Sequence, residues 1–86
     1  MRISFTPRGW EDYTHWATAD RALLRRVNKL IEAAARQPTA GIGKPEPLKH
    51  RVAAVWSRRI TEEHRLVYLV EKDQITILQA RFHHDA

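Results

Sequence analysis

Several side chains in this sequence can do chemistry without a thiol. Glu46 is a carboxylate between two prolines in the run Gly43-Lys44-Pro45-Glu46-Pro47-Leu48-Lys49-His50, with Lys44 and Lys49 as neighbouring cations. Arg58, Arg59, Arg65 and Arg81 supply guanidinium groups, planar forks that match the oxygens of a phosphate. His83 and His84 supply imidazoles, which gain or lose a proton near neutral pH. Together these are the parts for proton transfer beside an anion held by cations. On residue type alone each also has a plainer reading. Glu46 fits a solvated loop charge, Arg65 a surface ion pair with Glu46 or Glu63, and His83 an exposed residue near the chain end. His83 and His84 do not suit a metal pair, because neighbours on a strand point to opposite faces. No metal or other cofactor is expected.

Composition narrows the setting. With 86 residues, of which 43% are hydrophobic, the chain has room for one domain (residues 1–86) with one small core, so a site must lie on its surface. The lack of cysteine excludes a disulfide framework, a thiolate zinc site and a cysteine nucleophile, and suits a reducing cytoplasm. No apolar run reaches the length of a signal peptide or a membrane span. A soluble, cytoplasmic protein without a membrane partner is the expectation. Lys and Arg total 15 against 10 Asp and Glu, a formal charge of +5. That balance suits a polyanion such as nucleic acid.

Local signals place these residues on elements. Arg2 to Phe5 reads as a strand. Thr6 is a good N-cap and Pro7 fits the first position of a helix running through Thr18, with Trp10, Tyr13, Trp16 and Ala17 as its apolar stripe. That stripe reads as core or dimer contact in preference to a base-stacking surface. Asp20 caps a second helix, whose apolar face is Leu23, Leu24, Val27, Leu30, Ile31 and Ala34. Gln37-Pro38 ends it. A loop rich in proline and glycine spans residues 38–47, and strand-like runs follow at Val52 to Ile60, His64 to Val70 and Gln74 to Phe82. The pattern predicts an α+β fold, β-α-α-β-β-β, with two helices on one face of a twisted antiparallel sheet.

Register decides which residues of the last hairpin share a side. A turn centred on Asp73 puts Leu66, Tyr68, Val70, Leu78, Ala80 and Phe82 under the helices. Val67, Leu69, Ile77 and Gln79 then lie opposite. A two-residue turn would mix Arg65 with Leu78 and Phe82. The first register buries less charge and is preferred. It predicts that Arg65, Arg81 and His83 line one exposed patch.

Two blocks carry a family resemblance. The run from Gly43 to His50, and Trp56-Ser57-Arg58-Arg59-Ile60-Thr61-Glu62-Glu63-His64-Arg65-Leu66-Val67-Tyr68, resemble the signatures of the YoeB toxins, a branch of the RelE superfamily. Weaker similarity runs through both helices and covers essentially the whole chain. The resemblance implies a RelE-like fold and the toxin of a type II toxin–antitoxin pair, which cleaves mRNA in the ribosomal A site. It implies a YefM/Phd-like antitoxin, a homodimer, and contact with operator DNA only through the antitoxin complex. It makes Glu46 the general base, Arg65 the group that steadies the phosphate, His83 the general acid and Lys49 an assistant at the phosphate. Lys44, Arg58, Arg59, Arg81 and His84 are the other expected RNA or phosphate contacts. Arg81-Phe82-His83-His84 stands where the family ends in Arg-Tyr-His-Tyr, and Asp85-Ala86 follow it. An imidazole at position 84 still stacks on a base but lacks the phenolic hydroxyl.

The implied chemistry is self-consistent. RNA carries its own nucleophile, the 2′-hydroxyl, so a base, a cation and an acid suffice without a metal. The expected products are a 2′,3′-cyclic phosphate and a 5′-hydroxyl end. Two other classes stay open at this point: a non-enzymatic ParE-like toxin acting on gyrase, and an RNA-binding or corepressor module.

Overall fold

Two capping residues start the two helices. The Thr6 hydroxyl accepts from the Gly9 N–H (3.0 Å), and Pro7 opens α1 (Pro7–Ala19). Asp20 ends α1 through its own N–H and begins α2 (Arg21–Arg36), its carboxylate accepting from the N–H groups of Ala22 and Leu23. The computed structural model describes residues 1–48 and 54–82. The strands are β1 (Arg2–Phe5), β2 (Glu46–Pro47), β3 (Val55–Arg59), β4 (Arg65–Val70) and β5 (Gln74–Gln79). They form one sheet in the order β1-β5-β4-β3-β2.

Both helices pack on one face of this sheet, as the periodicity predicts. Val27, Leu30, Ile31 and Ala34 of α2 and Trp16 of α1 are buried against Leu66, Tyr68, Ile75, Ile77 and Ala80. Trp10 stays exposed and forms a surface aromatic group with Phe5 and Tyr13. The other sheet face carries a smaller cluster of Leu48, Val55 and Val67, with Leu69 and Leu78 beside it.

Two features differ from the sequence reading. The sheet is mixed: β1 pairs with β5 in parallel, and the other pairings are antiparallel. Alternation within β1 says which side chains face the core. It says nothing about the direction of a partner some seventy residues away. The last hairpin also uses both registers considered. Near the turn Val70, Leu69 and Tyr68 face Ile75, Thr76 and Ile77; past a bulge, Val67 faces Gln79. The bulge turns Ile75 and Ile77 toward the helices before it and Ala80 after it. Ile77 is thus a core residue, while Leu78 faces the opposite side and Phe82 is exposed. A single register would have placed one of these apolar groups on the wrong face.

Helix α1 sits very close to β5. A Cβ at Gly9 would lie 2.1 Å from the Ile77 carbonyl oxygen, a backbone atom that the Thr6 N–H also bonds. Gly9→Ala is therefore expected to lower stability by about 1–3 kcal/mol through overpacking. A urea unfolding curve reads this directly, and an unchanged midpoint would contradict it.

Candidate active site

The proline-flanked carboxylate reaches the sheet on its shortest strand. β2 lies at the sheet edge, where the missing N–H of Pro47 breaks no ladder bond. Its pairing is fixed on both sides: the Arg59 N–H donates to the Gly43 carbonyl (2.7 Å) and the Leu48 N–H to that of Val55 (2.9 Å). Gly43 has φ 85°, and a Cβ there would come within 2.6 Å of the Leu30 side chain, so glycine is required. Lys44, also left-handed at φ 51°, follows it and is exposed.

The register carries Glu46 into a row of side chains. Glu46 faces Ser57, Ser57 faces Val67, and Val67 faces Gln79, all on the sheet face away from the helices. One step along, Arg59 lies directly across from Arg65. Like charges at that spacing repel, and Glu46 supplies the counter-charge. Its Oε1 is 3.6 Å from Arg65 Nη1, a loose ion pair between a side chain 58% exposed and one 12% exposed. The Arg65 Nε and the Ser57 hydroxyl are buried, with no hydrogen-bond partner among the described residues. The pair the sequence leaves open is thus Arg65 with Glu46; Glu63 lies beside His64 instead, 3.6 Å from its Nε2.

Arg58 corrects the sequence reading, which counts it among the phosphate contacts. It is fully buried on the helix side of the sheet. Its Nε donates to the Tyr68 hydroxyl (2.9 Å), Nη1 to the Ile42 carbonyl (2.9 Å), and Nη2 to the carbonyls of Gln37 (2.6 Å) and Ala40 (2.7 Å). Tyr68 in turn donates to the Pro38 carbonyl (2.6 Å). All three guanidinium nitrogens are used, so none is left for a phosphate. Arg58 and Tyr68 are instead the interior anchor of the loop that delivers Lys44 and Glu46.

Burial pushes the Tyr68 hydroxyl above the ordinary tyrosine value of 10.0, against the opposing hydrogen bond and charge of Arg58. A raised folded-state value means the folded form keeps a proton that the unfolded chain releases. Stability from this group is full below pH 10 and declines as pH rises through the folded value. Unfolding free energies measured at rising alkaline pH should fall less steeply for Tyr68→Phe than for the wild type. Equal slopes would contradict this.

Of the other expected residues, Arg81 stacks its guanidinium over the rings of Phe82 (4.7 Å) and Trp16 (6.0 Å), toward α1. The structure thus brings Glu46, Arg59 and Arg65 together and sets Arg81 against aromatic rings. Lys49, His83 and His84 lie outside the described residues. Ser57 and His64 have no role in the sequence reading; the signal for Ser57 is its place on the same strand face as Arg59. Among the described residues, no group of three or more His, Cys, Asp or Glu side chains is placed to hold a metal ion. No described helix is long and apolar enough to cross a membrane.

Comparison with known proteins gives the family and the fold. Residues 5–84 match the family model of the YoeB-like toxins of bacterial type II toxin–antitoxin systems. A toxin YoeB from Streptomyces coelicolor is 56% identical over 98% of this chain and 100% of its own length. Among solved structures, a YoeB/ParE toxin from Agrobacterium tumefaciens superposes with a TM-score of 0.92 at 45% identity, covering 98% of this chain and 100% of that one. A YoeB dimer from Staphylococcus aureus gives 0.90 at 38% identity, and a YoeB–YefM complex from the same organism 0.86 at 36%, each covering 98% of both chains. Sequence blocks, fold and relatives agree along the whole chain, which belongs to the YoeB-like toxins of bacterial type II toxin–antitoxin systems.

Proposed function

We propose that this toxin is a ribosome-dependent, metal-independent endoribonuclease that cleaves mRNA in the A site. The observation that carries the reading is the approach of the Glu46 carboxylate to the Arg65 guanidinium at 3.6 Å, with Arg59 directly across the strand from Arg65. A proton acceptor and two cations thus share the sheet face away from the helices, with Glu46 and Arg59 exposed and the Arg65 side chain 12% exposed. In this reading an RNA phosphate enters between them and displaces Glu46 from Arg65. Glu46 takes the proton of the 2′-hydroxyl, whose oxygen attacks the adjacent phosphorus. Arg65 holds the non-bridging oxygens, with Arg59, Lys44 and Lys49 adding positive charge. The bond from phosphorus to the 5′-oxygen breaks, and His83 protonates the leaving oxygen. His84 stacks on a base, in the place of the family's tyrosine. The products are a 2′,3′-cyclic phosphate and a 5′-hydroxyl end.

The ribosome has a physical part in this scheme. So small a domain cannot by itself hold a flexible RNA in line for attack, and the A site supplies that orientation. The S. aureus structures support a homodimer and a YefM-like antitoxin as partners. In this reading operator DNA is met only through the antitoxin complex. The cytoplasm, where ribosomes and mRNA are found, is the corresponding location.

Induction of the toxin in bacterial cells tests this reading against action on gyrase. Amino-acid incorporation should stop while chromosomal DNA stays intact. DNA breaks with translation continuing would overturn it.

A further inference from the structure

The chain does not leave the sheet freely after β5. The Ala80 N–H donates to Asp12 Oδ2 (2.9 Å), and the Ala80 carbonyl accepts from Trp16 Nε1 (2.8 Å). Gln79 Nε2 donates to the Arg81 carbonyl (3.0 Å). At Phe82 both backbone groups are held: its carbonyl accepts from the Arg65 N–H (3.0 Å), and its N–H donates to His64 Nδ1 (2.7 Å). Phe82 adopts φ 61°, a left-handed conformation that a bulky residue takes only when its surroundings impose it.

His64 is itself well fixed. Its N–H donates to the Thr61 hydroxyl (3.1 Å), and its carbonyl accepts from the N–H groups of Ile60 and Thr61. Its ring stands edge-on to Trp16 at 4.8 Å and tilted to Phe82 at 5.5 Å, with its side chain 12% exposed. With Nδ1 accepting from Phe82, the ring proton belongs on Nε2, which faces the Glu63 carboxylate. The neighbouring residue, Arg65, holds the other side of the same peptide segment and reaches Glu46 with its side chain.

We infer that His64 is a positioning residue: its Nδ1 grips the amide of Phe82, the residue that the proposed acid follows in the chain. The same two residues, His64 and Arg65, tie Phe82 to the strand that carries the phosphate-holding guanidinium. This inference rests on the nuclease reading, in which His83 protonates the leaving oxygen.

The test compares wild type with His64→Asn, His64→Gln and His64→Leu. Asparagine places an acceptor oxygen close to the position of Nδ1. Glutamine places its amide near Nε2 instead, and leucine offers no acceptor. Amide hydrogen exchange at Phe82 reads the clamp without reference to activity. Single-turnover cleavage of a defined mRNA on saturating ribosomes reads its consequence. His64→Asn should keep both Phe82 protection and the cleavage rate. His64→Gln and, where it folds, His64→Leu should lose Phe82 protection and slow cleavage about 10²-fold, with ribosome affinity unchanged. Equal rates in all variants, failure of asparagine to rescue, or a loss confined to ribosome affinity would overturn the inference. Wild-type protein that leaves the mRNA whole would instead overturn the nuclease reading and the catalytic purpose of the clamp; Phe82 exchange would still show whether the clamp exists.

Discussion

Replacement of Arg58 by methionine should destabilise the fold by about 3–5 kcal/mol, a large part of the 5–15 kcal/mol that holds a typical domain together. The arginine is fully buried, and its nitrogens satisfy the carbonyls of Gln37, Ala40 and Ile42 and the hydroxyl of Tyr68. Methionine fills similar space but leaves those acceptors without their donor. Hydrogen bonds to a charged group contribute roughly 1.5–3 kcal/mol each, and relaxation of the 37–42 loop recovers part of the loss. The adjacent residue is the control. Arg59 is exposed and lies across from Arg65, so Arg59→Met should shift stability by no more than about 0.5 kcal/mol, upward if relief of charge repulsion dominates. Urea unfolding of the two variants makes the comparison. Equal stabilities would contradict the interior role of Arg58.

The second large effect is on activity. Glu46→Gln keeps the shape of the side chain and removes its capacity to take a proton. Single-turnover cleavage on programmed ribosomes should fall by 10²–10⁴-fold, the usual contribution of one positioned proton transfer. The fold should be untouched, because the Glu46 side chain is 58% exposed and its ion pair with Arg65 is loose. Ribosome binding should be retained or slightly tightened, since the carboxylate no longer competes with RNA phosphate for Arg65. A variant that cleaves at the wild-type rate would remove Glu46 from the chemistry.

Much of this arrangement is readable in the sequence because it is local. The caps Thr6 and Asp20 and the apolar stripe of α2 each rest on a few neighbouring residues, whereas the preferred turn centred on Asp73 gives way to a two-residue turn between Glu71 and Gln74. The two hairpin faces came out partly right, since Leu66, Tyr68 and Ala80 are core and Val67 lies opposite. What the pattern could not show was non-local. The parallel pairing of β1 depends on where two helices return the chain. The bulge depends on fitting Ile75, Ile77 and Ala80 under the same helices.

Arg58 and Arg59 show the same limit at the site. A buried arginine is uncommon, so two adjacent arginines in a basic protein read as surface cations. Strand alternation held the missing clue: Arg58 has the parity of Trp56 and Ile60, both on the core side, while Arg59 has that of Ser57. Glu46 beside Arg65 came from the family blocks and from an ion pair already open on residue type. The structure adds why they meet: β2 is an edge strand pinned by Gly43 and Leu48, and the β3–β4 register brings Arg65 within reach. Lys49, His83 and His84 fall outside the described residues, so their roles stand as part of the proposed mechanism.

The central claim is cleavage of mRNA in the A site by 2′-hydroxyl attack. The most direct measurement adds purified toxin to ribosomes carrying a defined mRNA, maps the cut, and identifies the chemistry of the new 3′ end, with Glu46→Ala and His83→Ala in parallel. The account predicts a cut within the A-site codon and a 2′,3′-cyclic phosphate, both lost in the two variants. Intact mRNA on ribosomes that bind the wild-type toxin, or a cut ending in a 3′-hydroxyl, would contradict it.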